Sequence, residues 1–225
     1  MLLPWRFVAV MAVTSVGLSL TAQQPVRGSV VVLDRDQRPA RDVDEAVVWL
    51  VRERAARAAR PDTAEILTRR REFVPRVAVV TPGSAVRFPN HDSFNHNVFS
   101  LSEEAPFDLG LYGRNEVRAT AFTRPGVIRV YCNVHATMSA FVVVVPEQLF
   151  ARPAADGSFS IVNVPPGRYT LRAWHERAAQ VIEREITVTA QGTDLVALTL
   201  DASGFRPEPH LNKYGQPYRA AGRRY

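Results

Sequence analysis

One cysteine occurs in the 225 residues, within YCNVHATM (Tyr131 to Met138), and a histidine and a methionine follow it at equal three-residue steps. Cys132, His135 and Met138 thus offer a thiolate, an imidazole and a thioether from one short segment. A single cysteine has no disulfide partner in its own chain, so it is an inert buried thiol, a nucleophile or a metal ligand. A nucleophile needs an exposed thiol of low pKa with a base beside it, and no protease-like signature surrounds Cys132. A metal needs more donors. The stretch VRFPNHDSFNHNVFS supplies two further histidines, His91 and His96, the second directly ahead of the apolar Val98 and Phe99. One thiolate, two imidazoles and a weak thioether compose a trigonal His2Cys set with a long axial methionine, the set that suits copper in electron transfer. Structural zinc prefers four strong Cys and His ligands, and covalent haem requires CxxCH; the chain offers neither.

The elements that must position these donors are strands. Alternation in GVIRVYC puts Ile128, Val130 and Cys132 on one face and Val127, Arg129 and Tyr131 on the other. Arg129 belongs in water, so Cys132 points inward at a strand end, and the chain turns before SAFVVVV resumes as the next strand. His135 and Met138 then lie on a loop at one end of a sandwich, with Met138 either an axial ligand or core filling. His91 belongs to the exposed turn PNHDS, while His175, in RAWHER, and His210, near the C-terminus, read as surface residues. Elsewhere, short runs rich in Val, Ile, Phe and Tyr recur between Pro, Gly, Asn and Asp, as in GSVVVL, AVVWLV, RVAVVT, RYTLRAW and LVALTL, a pattern that predicts an all-β protein. Only DEAVVWLVRERAARAAR invites a helix, and Pro61 would stop it; the expectation is a strand to about Val51, then a charged, partly helical excursion.

The N-terminus bears on the compartment. Arg6 precedes an apolar run, Phe7 to Leu20, that ends in the small-residue pattern Leu20-Thr21-Ala22, which reads as a secretory signal over residues 1–22. The run is shorter than the roughly 20 apolar residues of a membrane helix, so no stable membrane span is expected once the signal is removed. The expected location is periplasmic or secreted. The formal net charge is +6, and much of the excess falls in Arg52 to Arg71 and in Arg206 to Tyr225. Neither stretch interleaves aromatic residues as a nucleic-acid platform would, so both read as solvated, and no nucleic-acid partner is expected.

The segments FVPRVAVVTPGSAVRFPNHDSFNHNVF, FDLGLY and RPGVIRVYCNVHATMSAFVVV resemble the cupredoxins, in particular amicyanin-like and methylamine-utilisation-type proteins. The Cys-x2-His-x2-Met spacing is similar to the short amicyanin loop, and HNV at His96 to the first-histidine motif of small blue copper proteins. The resemblance implies one type-1 copper per chain, with His96, Cys132, His135 and Met138 as ligands, and Asn97 steadying the Cys132 loop by hydrogen bonds. It also implies docking of redox protein partners near the edge of His135. Farther along, AADGSFSIVNVPPGRYTLRAWH resembles the transthyretin-like regulatory β-sandwich of carboxypeptidases, and GSVVVLDRDQRPARDVDEAVVWL looks like the opening of such a module. The expected fold class is therefore all-β, a Greek-key cupredoxin β-sandwich plus a second, small transthyretin-like β-sandwich. The expected division is a cupredoxin domain at 72–147 and a second sandwich of 25–51 and 148–203, with a charged linker at 52–71 and a basic tail at 204–225; either the cupredoxin is inserted into that sandwich, or, in the plainer arrangement, GSVVVL is the first cupredoxin strand and the C-terminal part forms a smaller module of its own. The expected role is an exported carrier of single electrons, not an enzyme; the alternative is a copper-storage or adhesion module without electron transfer.

Overall fold

The computed structural model describes residues 23–53, 60–207 and 209–218. The signal-like segment and part of the expected helical excursion, residues 54–59, lie outside the described residues. In chain order the strands are β1 (Gln24–Leu33), β2 (Val47–Arg52), β3 (Thr63–Glu65), β4 (Leu67–Arg69), β5 (Glu72–Val74), β6 (Val77–Val80), β7 (Ser84–Pro89), β8 (His96–Ser100) and β9 (Phe107–Tyr112). They continue as β10 (Val117–Phe122), β11 (Gly126–Tyr131), β12 (Ser139–Val144), β13 (Phe150–Ala151), β14 (Ser158–Val164), β15 (Gly167–Trp174), β16 (Ile182–Val188) and β17 (Val196–Asp201). A single 3-10 turn at Val43–Glu45 is the only helical element among the described residues. The protein is all-β, as expected.

Two sandwiches divide these strands. A terminal sandwich pairs the sheet β14-β1-β17 with the sheet β13-β2-β15-β16; a central sandwich pairs β10-β7-β3 with β6-β12-β11-β8-β9, and the β4-β5 ribbon completes it. In the terminal sandwich β1 runs antiparallel to β14, with Gly28 opposite Phe159, and parallel to β17, with Val30 opposite Leu198. Strand β2 lies antiparallel to β15, with Leu50 opposite Leu171. The first two strands thus pair with strands that follow the central sandwich in sequence. At the turn before β14, Gly157 takes φ +83°, and a Cβ there would sit 2.2 Å from the Val30 carbonyl oxygen, so only glycine allows this approach.

The hydrophobic pattern of each strand follows from how many of its faces are covered. Strand β17, VALTLD, buries alternate residues and wets the rest, because one face meets the core and the other meets water. Strands β2 and β12 read as nearly unbroken apolar runs because each is covered on both sides. Val48 and Leu50 of β2 enter the terminal core, whereas Val47 and Trp49 face the central sandwich. Ala140, Val142 and Val144 of β12 enter the central core, whereas Phe141 and Val143 face back. The shared layer includes the Phe141 and Trp174 rings, whose centroids lie 5.1 Å apart. At its rim Arg76 grips Glu176 through both carboxylate oxygens at 2.9 and 2.6 Å, and Arg52 meets Glu147 at 3.0 Å.

Residues 52–71, expected as a charged linker, contribute structure from Asp62 onward. Strand β3 pairs in parallel with β7, and Ile66 and Thr68 are wholly buried. The charged residues of that stretch point to solvent while every second or third position is apolar or hydroxylic, a short-strand signal easily hidden by the surrounding arginines.

Candidate metal centre

The candidate donors meet at one end of the central sandwich, where β8 begins and β11 ends. Adjacent antiparallel pairing of β8 and β11, with Tyr131 opposite Phe99, carries His96 and Cys132 to the same end. Inward alternation along β11 holds: Ile128, Val130 and Cys132 are fully buried, and Arg129 is exposed. The chain then turns back on itself. The Cys132 N–H donates to the Met138 carbonyl at 3.2 Å, and the Met138 N–H donates to the His135 carbonyl at 3.1 Å. These two bonds close the loop from Cys132 to Met138 and fix the ends from which its side chains project.

The Cys132 Sγ lies 3.7 Å from His96 Nδ1 and 3.7 Å from His135 Nδ1. A metal bonded to sulfur at about 2.3 Å and to nitrogen at about 2.0 Å, with the bonds roughly 120° apart, requires a sulfur-to-nitrogen separation of about 3.7 Å. All three donor atoms lie within 4.8 Å of one another. The residues present therefore fit a three-coordinate metal ion. His96 and Cys132 are wholly buried, Met138 is 1% exposed, and His135 is partly exposed. The Phe94 ring covers both imidazoles, with centroids 5.1 Å from His96 and 5.6 Å from His135, and the Arg71 guanidinium stacks over Phe94 at 5.3 Å. His91 is exposed in its turn and stands outside the cluster.

Hydrogen bonds behind the donors hold them in register. His96 Nε2 is 2.8 Å from Asp92 Oδ2, which leaves Nδ1 directed at the thiol; a carboxylate on the far nitrogen of an imidazole fixes its tautomer and raises its basicity as a ligand. Asp92 in turn accepts the backbone N–H groups of Arg70 at 2.6 Å and Arg71 at 2.9 Å. Asn90 ties the turn that carries Asp92 and His96. Its Nδ2 donates to the carbonyls of Phe94 and Tyr112, and its Oδ1 accepts from Thr68 Oγ1 and the Asp92 N–H, so all its bonding capacity is used. Asn97 accepts from the Asn133 N–H at 3.3 Å and donates to Asp108 at 2.6 Å, which links β8, β9 and the residue after Cys132.

The electrostatics favour a thiolate. Burial pushes the Cys132 thiol up, but the His96 hydrogen bond and the backbone N–H groups of Asn97, Val134 and His135 bring it below its ordinary value. Burial also lifts the Asp92 carboxyl, and its bonds to the Arg71 N–H, His96 and the Arg70 N–H outweigh that, leaving it low.

Several residues in this network escape sequence reasoning. Of the stretch expected as a solvated basic tail, residues 209–218 pack along the donor loop instead, while residues 208 and 219–225 lie outside the described residues. The Tyr218 hydroxyl donates to the Cys132 carbonyl at 2.6 Å, and the Lys213 N–H donates to Asn133 Oδ1 at 2.9 Å. Lys213 Nζ meets Asp108 at 2.6 Å, and His210 stacks on Tyr131 with centroids 4.2 Å apart and planes at 17°. His210 is thus a packed residue, because an aromatic ring on the neighbouring strand gives it a partner that no local spacing announces. His175 is fully buried: its Nε2 donates to the Asp42 carbonyl at 3.2 Å and its Nδ1 accepts the Arg177 N–H at 3.3 Å. With Asp42 and Glu45 it forms a second His-and-carboxylate group. There both imidazole nitrogens are engaged, Asp42 is paired with Arg177, and Glu45 faces Arg76 at 3.7 Å, so that group is an ion-pair network. Asn90, Asp92 and Phe94, all within six residues before His96, are supporting residues whose proximity in sequence could have revealed them.

Comparison with known proteins gives a partial likeness. A family model described as fn3_3, Polysaccharide lyase family 4, domain II, matches residues 148–196. No curated protein matches the chain. Among solved structures, a Cu-containing nitrite reductase from Thermus scotoductus SA-01 is similar at 25% identity and a TM-score of 0.36, over 40% of this chain and 24% of that one. A purple cupredoxin from Nitrosopumilus maritimus is similar at 22% identity and a TM-score of 0.33, over 36% of this chain and 99% of that one. Amicyanin from Paracoccus versutus is similar at 16% identity and a TM-score of 0.35, over 43% of this chain and 97% of that one. The chain thus spans about a quarter of the length of the nitrite reductase. Among the described residues no helix is long and apolar enough to cross a membrane.

Proposed function

We propose that this chain is an exported type-1 copper protein that carries single electrons between redox protein partners, with His96, Cys132, His135 and Met138 as its ligands. The observation that carries the reading is the equal 3.7 Å separation of the buried Cys132 Sγ from two imidazole nitrogens, on a loop that Met138 closes. Bound there, copper would supply a one-electron couple. The chain's own contribution is rigidity. Asp92 holds the His96 ring, Asn97 and Tyr218 hold the backbone on either side of the Cys132 peptide, and Phe94 packs against both imidazoles, with His96 wholly buried. Donors fixed by a β scaffold keep their geometry when the metal's charge changes, which lowers the reorganisation needed for electron transfer. His135, partly exposed beside Val134, which is 47% exposed, offers the edge at which a partner docks. The signal-like N-terminus supports export.

In this reading the protein is a carrier and not an enzyme, and the central sandwich is a cupredoxin domain inserted into a transthyretin-like sandwich. The pairing of β1 and β2 with β14, β15 and β17 supports the insertion. Voltammetry of the copper-loaded full chain tests the carrier role: it predicts a reversible one-electron couple with fast self-exchange, whereas tight copper binding without reversible cycling would point to a storage module. Because a thioether ligand would disfavour Cu(II) more than Cu(I), Met138→Gln is expected to retain copper at a lower reduction potential. An unchanged potential would make Met138 a packing residue.

A further inference from the structure

A cavity of about 940 Å³ opens between the two sandwiches and the C-terminal stretch. Its volume is at the upper end of the range of roughly 300–1,000 Å³ typical of small-molecule sites. One wall is the candidate copper loop itself, through Ala136, Thr137 and Ser139, beside Tyr131 and the His210 ring that stacks on it. The opposite wall comes from the terminal sandwich at Ala178 and Ala179, and Phe205 and Phe141 add apolar surface.

The charge on this lining is lopsided. Among the described residues of the lining, four guanidinium groups, Arg76, Arg129, Arg177 and Arg206, face one carboxylate, Glu176. Glu176 is already held by Arg76 at 2.6 Å, and Arg177 is paired with Asp42 outside the cavity lining. Arg129 and Arg206 pair with no carboxylate among the described residues; Arg206 donates only to the carbonyls of Ser203 and Phe205. Arginine presents a planar fork that matches a carboxylate in two parallel hydrogen bonds, and its face and the aromatic side chains accept a flat ring.

We infer that this cavity is a binding site for a small aromatic carboxylate, whose acid group is held by Arg129 and Arg206 and whose ring lies along Phe205, Phe141 and the Tyr131–His210 stack. Its occupant touches the two residues between His135 and Met138, so binding there is sensed by the donor loop. This site goes beyond the copper reading and stands without it, because none of its lining side chains is a candidate ligand.

The test uses the metal-free full chain, so that its outcome is separate from that of any copper experiment. Benzoate, inorganic phosphate and benzyl alcohol are titrated in turn, followed by calorimetry and by backbone amide shifts. Saturable benzoate binding at about millimolar affinity or tighter is expected, with the amides of Arg129, Ala136, Thr137 and Ala179 shifting together. The double variant Arg129→Gln/Arg206→Gln is expected to weaken benzoate at least tenfold, and Ala179→Trp, a change at an exposed position, is expected to block it by filling the mouth. Absence of saturation, equal binding of phosphate, equal binding of benzyl alcohol, or full benzoate affinity in both variants would each overturn the inference.

Discussion

The two sandwiches bury comparable sets of aliphatic and aromatic side chains but treat polar groups in opposite ways. The terminal sandwich buries mainly apolar side chains, from Val26 and Val30 through Tyr169 and Leu171 to Leu200, with His175 as a buried polar residue at its margin. The central sandwich buries Thr68, Asn90, Asp92, His96, Asn97 and Ser100 together with Cys132. Each buried polar group left without a partner costs about 1–3 kcal/mol, and an apolar core would avoid the risk. The central sandwich concentrates that risk around the donors, where Asn90, Asp92 and Asn97 are all satisfied and all lead to His96 or to the Cys132 loop, and also buries Thr81 and Ser84, bonded to each other, at the β6–β7 turn. The buried polar groups thus mark the end of the central sandwich where the candidate donors are held in place.

The comparison is broken most forcefully by emptying the apolar core. Leu171→Ala removes a side chain that is 1% exposed and is expected to lower the unfolding free energy by about 2–5 kcal/mol, measured by denaturant titration. Copper affinity of the folded variant is expected to stay within about twofold, since no residue of the donor network touches Leu171. A large loss of affinity would mean that the two sandwiches do not divide the labour in this way.

Next in size is the carboxylate behind His96. Asp92→Asn weakens the anchor on Nε2 and the bonds to two backbone N–H groups, and it is expected to cost roughly 10–100-fold in copper affinity. Competitive titration against a chelator of known affinity measures this. Unchanged affinity would make Asp92 a purely structural cap on the Arg70–Arg71 turn.

The smallest expected effect is at the tail. Tyr218→Phe deletes one hydrogen bond to the Cys132 carbonyl, which lies beside the donor and not on it. The expected cost is about 1 kcal/mol in stability, with copper still bound and a small shift of its visible band. A variant without copper would promote the tail from a brace to a required part of the site.

How much of this the sequence carries depends on how local each contact is. Cys132, His135 and Met138 fall within one turn, so their spacing alone exposes them. His96, 36 residues before Cys132, is recoverable because strand pairing returns it to the same end and because HNV has a familiar form. Strand identity was legible outside 62–71, where the surrounding arginines hid β3 and β4: alternation marks one-sided strands such as β17, and unbroken apolar runs mark β2 and β12. What those runs did not disclose is the partner on the second face, since Trp49 and Phe141 reach each other's layer only through tertiary packing. Asp108, His210, Lys213 and Tyr218 stayed hidden for the same reason. Their roles arise from side chains that meet across 80 or more residues in the case of Lys213 and Tyr218, within a basic stretch whose composition looks like a solvated end.

The central claim is that Cys132 is a thiolate ligand to copper, and the most direct measurement is the visible absorption spectrum of the full chain with one equivalent of Cu(II), taken beside that of Cys132→Ser. The account predicts an intense blue or green band from thiolate-to-copper charge transfer in the native protein, with the band and the tight copper binding both lost in the variant. A native protein that binds Cu(II) without an intense band, or a variant that keeps it, would contradict the account.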